Sequence, residues 1–176
     1  MIHLPPVMLR VGERAPVFTA QTTLGRPLAL SELRGQFVVI YFFPKAFTPG
    51  CKRETTRFRD AYADLQGLGA EVIGVSVDDH ETQCDFATAQ NVGFPMVGDA
   101  DHGLSKLYDV LRPFLRLDKR VTYVIDRAGT IRGVFQHEFQ VSRHLDDVLH
   151  LMEKLVKEDA AAPSSTVDRQ PSTGKP

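Results

Sequence analysis

The chain has 176 residues, of which 43% are hydrophobic and 24% are charged, and its formal net charge is −1. This length and composition fit one globular domain with a substantial core. The near-zero charge argues against a nucleic-acid or membrane-surface partner, and no apolar run approaches the length of a bilayer span.

The N-terminus lacks the basic start, apolar stretch and cleavage site of a signal peptide, so a soluble cytoplasmic protein is expected. There are only two cysteines, Cys51 and Cys84. Two are too few for a disulfide scaffold, and in a reducing compartment they are better explained as catalytic or redox-active residues.

The first elements lead to a buried strand. Residues 7–20 predict an edge strand and a turn, and residues 28–35 predict a short capped helix that ends at a glycine. Residues 37–43 form an unbroken β-branched and aromatic run, which is typical of a strand covered on both faces.

A helix is predicted from residue 48 to about residue 67, after Pro44 ends the strand. Thr48 can cap free N–H groups, and Pro49 occupies a position where a missing donor costs nothing. Cys51 then falls at the third helical position. A sulfur there lies over free N–H groups and the positive end of the helix dipole, which favours the thiolate. A structural cysteine has no need of this approach, so a nucleophile is favoured.

The rest of the chain predicts alternating strands and helices. In order these are a strand at 71–77, a helix at 80–91, an extended segment at 94–101, a helix at 104–110, a hairpin of 121–126 and 131–136, and an amphipathic helix at 142–157. Residues 159–176 predict a mobile tail after a domain of residues 1–158. The order indicates a thioredoxin-like α/β fold, a central mixed sheet flanked by helices.

The turn and helix start carry a resemblance to a known family. Pro44, Thr48 and Cys51 match the peroxidatic P-x-x-x-T-x-x-C motif of peroxiredoxins, and residues 41–54 resemble the bacterioferritin comigratory protein (peroxiredoxin Q) branch. The resemblance covers residues 7–157. It implies a monomeric peroxidase that reduces hydrogen peroxide and organic hydroperoxides, with thioredoxin or a similar dithiol protein as reductant.

Peroxide reduction by a thiol needs a thiolate and stabilisation of the leaving oxygen. Cys51 would attack one peroxide oxygen and become a sulfenic acid. The Thr48 hydroxyl would lie beside the substrate oxygens, and the N–H groups of Gly50 and Cys51 would hold the developing charge. Pro44 would shield the sulfur and fix the loop.

Two charged residues take their roles from the resemblance. Arg120, in R-V-T-Y-V-I-D, matches the family's arginine in R-x-T-F-x-I-D, and its charge would favour both thiolate and transition state. Without the motif, the favoured interpretation of Arg120 is a surface arginine at a strand edge. Glu54 matches a glutamate of the branch that would orient the arginines, and the alternative is a solvated helix residue.

Many members of the branch have a resolving cysteine, which forms a disulfide with the oxidised peroxidatic cysteine, five residues after it. In this chain Thr56 occupies that position. A second group of the branch places this cysteine in the helix after the second strand, where Cys84 lies one turn before the matching position. On a helix, Cys84 and Phe86 point about 200° apart, so a core Phe86 leaves Cys84 off the core, which suits a resolver. A bond between Cys51 and Cys84 would require both helices to unwind locally.

Two alternatives stay open: a one-cysteine peroxidase in which Cys84 is inert, and a redox-switched binding or chaperone-like module. Intact Pro44, Thr48, Cys51 and Arg120 favour the enzyme. A cysteine hydrolase would need a histidine beside Cys51, which the motif does not provide. The histidines show no ligand spacing and no glycine-rich phosphate loop is present, so neither a metal nor another cofactor is expected.

Overall fold

Nine strands and four α-helices are formed by residues 8–162, the part of the chain that the computed structural model describes. The strands are β1 (Thr19–Gln21), β2 (Pro27–Ala29), β3 (Phe37–Phe42), β4 (Ala70–Ser76), β5 (Met96–Gly98), β6 (Leu111–Arg112), β7 (Leu117–Asp118), β8 (Val121–Ile125) and β9 (Ile131–Gln136). The helices are α1 (Pro49–Gly67), α2 (His80–Ala89), α3 (Gly103–Leu107) and α4 (Ser142–Ala161), and a 3-10 helix spans Leu30–Leu33.

A five-stranded mixed sheet in the order β5-β4-β3-β8-β9 forms the centre of the fold. Strands β3, β4 and β5 are parallel, whereas β8 runs antiparallel to both β3 and β9. The predicted hairpin of β8 and β9 is therefore confirmed. So is the thioredoxin-like α/β class, since helices cover both faces of the sheet.

The central strand β3 is buried along its whole length because both of its faces are covered. Val39 and Tyr41 pack in a cluster with residues of α1, α2 and α4. Val38 and Ile40 pack on the other face, against the 3-10 helix and α3. The unbroken apolar run of this strand is thus what two covered faces require.

Several predicted boundaries differ from the structure. The helix predicted at residues 28–35 is β2 followed by the 3-10 helix, and the small β6–β7 hairpin was not predicted. Helix α4 continues to Ala161, where Asp159 accepts a hydrogen bond from Arg127 Nε at 2.9 Å. The first residues assigned to the tail are therefore helical. The remainder of the tail, from residue 163, lies outside the described residues.

A membrane-spanning helix and a cluster of metal-ligating side chains are both absent from residues 8–162. None of their helices combines the length and apolar character needed to cross a bilayer. Within the same residues, no three histidine, cysteine, aspartate or glutamate side chains are grouped so that they could hold a metal ion.

Candidate active site

Cys51 lies in the first turn of α1, directly beyond the end of the central strand. Strand β3 ends at Phe42, a turn follows Pro44, and α1 begins at Pro49. Cys51 is the third residue of the helix, as predicted, and its side chain has no solvent exposure. A peroxide can therefore contact the sulfur only when neighbouring side chains move aside.

Arg120, which precedes β8, places its guanidinium group against the cysteine. Its Nη1 and Nη2 atoms each lie 3.6 Å from Cys51 Sγ, and the residue is only 6% exposed. A Cβ atom on Gly50 would lie 3.2 Å from Arg120 Nη2, so a side chain at this position would crowd the guanidinium group. The structure thus brings Gly50, Cys51 and Arg120 together, and the alternative of a surface arginine does not hold.

Glu54 lies one turn after Cys51 and is buried behind Arg120. It is 1% exposed, and its Oε2 accepts a hydrogen bond from Arg120 Nη1 at 2.5 Å. The alternative of a solvated helix residue is therefore wrong, because α1 packs this face against the sheet. Burial raises the pKa of Glu54 to about 7, although Arg120 opposes the shift.

The pKa of Arg120 is raised in turn. Burial alone would lower it, but the neighbouring charges of Glu54 and Cys51 outweigh that effect. The guanidinium group therefore stays positive, and it contacts two buried acidic groups, the Glu54 carboxyl group and the Cys51 thiol.

The sequence did not predict that His144 lies behind Glu54. His144 of α4 is fully buried, with its Nδ1 2.8 Å from Thr122 Oγ1 and its Nε2 2.9 Å from the carbonyl oxygen of His137. A carbonyl only accepts, so Nε2 carries the proton and Nδ1 accepts from Thr122. Burial lowers the pKa of His144 to about 4, which keeps the ring neutral.

Because the His144 ring is neutral, one carboxylate oxygen of Glu54 has no hydrogen-bond donor. Glu54 Oε1 lies 3.9 Å from His144 Nδ1, which has no proton to offer, and it makes no hydrogen bond. The sequence contained only a weak indication that Thr122 and His144 lie near the site. Strand alternation places Thr122 on the same face as Arg120, and His144 lies one turn before Val148 on the apolar face of α4.

Thr48 precedes α1 but does not cap it with its side chain, which corrects the predicted capping role. Its main-chain carbonyl accepts from Lys52 N at 2.9 Å, whereas its hydroxyl donates to the carbonyl oxygen of Lys45 at 2.9 Å. The hydroxyl proton is therefore already used. The lone pairs of Thr48 Oγ1 can still accept the O–H of a peroxide.

The turn between Pro44 and α1 contains a strained residue. Phe47 has φ of 66°, a left-handed conformation that costs a residue with a side chain about 1–2 kcal/mol. Its ring packs edge-on against Phe86 of α2, with centroids 5.3 Å apart. Pro44 is half-buried at the end of the strand, and the main-chain N–H of Ala46 donates to Asp78 Oδ2 at 2.7 Å, which anchors the turn.

Cys84 lies on α2 and has the orientation that the helix geometry predicted. Phe86 is fully buried, whereas Cys84 is only partly buried and its thiol is free. The structure does not bring Cys84 into the cluster of Cys51, Glu54 and Arg120. Its sulfur instead lies 3.5 Å from Nε2 of His80, one turn earlier on the same helix.

Comparison with known proteins gives a consistent result. The sequence profile of the AhpC/TSA family matches residues 11–134. A chloroplastic peroxiredoxin Q from Sedum lineare is 37% identical over 145 residues, which cover 82% of this chain and 78% of the relative.

Solved structures show the same relationship. Peroxidoxin BcpB from Mycobacterium tuberculosis superposes with a TM-score of 0.78 and 30% identity, covering 84% of this chain and 98% of that protein. The bacterioferritin comigratory protein of Xanthomonas campestris, whose structures concern its alkyl peroxide reduction activity, superposes with a TM-score of 0.72 and 26% identity. The match covers 79% of this chain and 92% of that protein.

Proposed function

The chain belongs to the AhpC/TSA family, in its peroxiredoxin Q and bacterioferritin comigratory protein branch, and we propose how its residues carry out the thiol-dependent reduction of peroxides. Members of this branch act on peroxides and are regenerated by a thiol reductant. The observation that carries the assignment of residues is the contact of both Arg120 Nη atoms with Cys51 Sγ.

In the first step, the Cys51 thiolate attacks one oxygen of the peroxide and the O–O bond breaks. The guanidinium of Arg120 favours the thiolate and balances the negative charge on the leaving oxygen. Thr48 Oγ1 accepts the peroxide O–H, while the N–H groups of Gly50 and Cys51 face the developing charge. Water or an alcohol leaves after taking up a proton, and Cys51 becomes a sulfenic acid.

Glu54 acts as a positioning residue in this step. Its Oε2 holds Nη1 of Arg120, so the guanidinium cannot rotate away from the sulfur. Pro44 lies two residues after the end of β3 and is half-buried, which supports a role in fixing the approach to the turn. Neither residue needs to contact the substrate.

In the second step, Cys84 attacks the Cys51 sulfenic acid and an intramolecular disulfide forms with release of water. The partial exposure of Cys84 and the burial of Phe86 on the same helix support this role. The first turn of α1 and the part of α2 that carries Cys84 must both unwind locally for the two sulfurs to meet. Thioredoxin or a similar dithiol protein then reduces the disulfide.

Organic hydroperoxides are proposed as substrates beside hydrogen peroxide, since the Xanthomonas campestris relative reduces alkyl peroxides. A monomeric state and a cytoplasmic location stay predictions from the sequence. Size-exclusion chromatography with light scattering tests the first of these.

Non-reducing peptide mapping after one equivalent of hydrogen peroxide tests the cycle. We expect a linked peptide that joins Cys51 to Cys84, and no peroxide consumption with a dithiol in Cys51→Ser. Oxidised Cys51 beside a free Cys84 thiol would instead establish a one-cysteine peroxidase. An unoxidised Cys51 would refute the assignment of the nucleophile.

A further inference from the structure

His80 and Cys84 form a pair on one face of α2. His80 is the first residue of the helix, Cys84 follows one turn later, and His80 Nε2 lies 3.5 Å from Cys84 Sγ. Cys84 also lines a groove of about 290 Å³ that includes Leu24 and Val92. The sulfur is therefore accessible and has a nitrogen acceptor within hydrogen-bond distance.

The disulfide-forming step creates a need for such an acceptor. A thiolate attacks sulfur, whereas a protonated thiol is a poor nucleophile, so Cys84 must lose its proton as it attacks. Glu54 cannot serve as this base, because it is buried and bound to Arg120. His80 is the group that the fold places against the Cys84 sulfur.

We propose that His80 is the catalytic base that deprotonates Cys84 for attack on the Cys51 sulfenic acid. The inference rests on the proposed function of Cys84 as the resolving cysteine. With its own proton on Nδ1, His80 takes the Cys84 S–H proton on Nε2. The Cys84–Cys51 S–S bond forms as the S–O bond of the sulfenic acid breaks, and the leaving hydroxide takes up a proton to give water.

The start of α2 is built to keep this pair together. Asp79 Oδ1 accepts the N–H of Thr82 at 2.7 Å and caps the helix. The buried Gln83 side chain donates to the carbonyl oxygen of Val97 at 3.0 Å and ties the same turn to β5. These contacts hold His80 and Cys84 one turn apart when the proton is transferred, before α2 unwinds locally to bring the two sulfurs together.

The test compares His80→Ala with His150→Ala, which removes an exposed histidine from α4. Each full-length protein is mixed with hydrogen peroxide, quenched with acid at set times and mapped under non-reducing conditions. We expect the Cys51–Cys84 disulfide to form at least about tenfold more slowly in His80→Ala, and at the parent rate in His150→Ala. At excess peroxide, His80→Ala should accumulate more sulfinic acid at Cys51, because slow resolution leaves time for a second oxidation.

A second measurement does not depend on disulfide formation. In a Cys51→Ser background Cys84 is the single thiol of the chain. Its rate of reaction with an aromatic disulfide reagent should fall about three- to tenfold when His80 is replaced by alanine.

The outcomes separate the inference from the proposed function. Disulfide formation at the parent rate in His80→Ala overturns the role of His80 and leaves the two-cysteine cycle standing. A parent protein that forms no Cys51–Cys84 disulfide overturns both. A slower disulfide step together with a less reactive Cys84 thiol supports the proposal.

Discussion

The charge of Arg120 gives the most quantitative prediction for the first chemical step. Both Nη atoms lie 3.6 Å from Cys51 Sγ. Two unit charges about 4 Å apart interact by about 4 kcal/mol at an effective dielectric constant of about 20. Each 1.36 kcal/mol corresponds to about a tenfold change in rate, so we expect Arg120→Gln to slow Cys51 oxidation by about 10²- to 10³-fold.

The variant needs a compensating change, because Arg120→Gln alone leaves the Glu54 carboxyl buried without its partner. Breaking a buried pair in this way costs about 3–5 kcal/mol of stability. The comparison is therefore made between Glu54→Gln and the double variant Glu54→Gln/Arg120→Gln. In the first, an amide replaces the carboxyl group and can still accept from Arg120.

The rate is measured by competition for hydrogen peroxide with a second peroxidase that has an optical signal, since this chain contains no tryptophan. Arg120→Lys in the Glu54→Gln background keeps the charge but loses the planar pair of donors. It should lie between the other two variants. A fall of less than about threefold in the double variant would show that the charge contributes little to the barrier.

Three further predictions concern other parts of the fold. Burial raises the pKa of Asp118 from 3.8 to about 7, and neither carboxylate oxygen has a hydrogen-bond partner. The folded state therefore favours the protonated form. Between about pH 4 and pH 7 the free energy of unfolding should fall by up to about 4 kcal/mol on this account, and urea titrations should show that Asp118→Asn lacks this part of the fall. A Cβ atom on Gly98 would lie 2.7 Å from the main chain of Asp79, so Gly98→Ala should lower the free energy of urea unfolding by about 1–3 kcal/mol. Gly93→Ala, where a Cβ atom meets no atom within 4 Å, should change it by less than about 0.5 kcal/mol; equal effects would contradict the packing argument. Thr48→Val should slow peroxide reduction about tenfold in the same competition assay, and Thr48→Ser should keep the rate, because only the hydroxyl oxygen is needed.

The local part of the site could be predicted from the sequence. A proline after a buried apolar run and a Pro-Gly pair before Cys51 act within a few residues, so they define the turn without knowledge of the fold. The spacing of His80 and Cys84 is local in the same way. Arg120 is 69 residues from Cys51 and was placed only by its motif.

Burial could not be predicted in this way, because it depends on which elements pack together. Glu54 is buried because α1 packs against both the sheet and α4, which no pattern within α1 reveals. His144 and Thr122 meet across 22 residues and two different elements. Thr48 shows that a local prediction can also fail. Its position in the sequence suited a helix cap, but the turn directs its hydroxyl back to the carbonyl oxygen of Lys45.

The contacts of the first turn of α1 indicate how oxidation leads to opening. This turn has no side-chain cap and no acidic residue, and it follows the strained Phe47. Both Nη atoms of Arg120 contact Cys51 Sγ, so the attraction between the guanidinium and a Cys51 thiolate adds to the stability of this turn. A sulfenic acid is neutral, so the first chemical step removes this attraction. Asp79 caps helix α2, and we therefore expect the Cys51 turn to open before α2 does, after oxidation rather than before it.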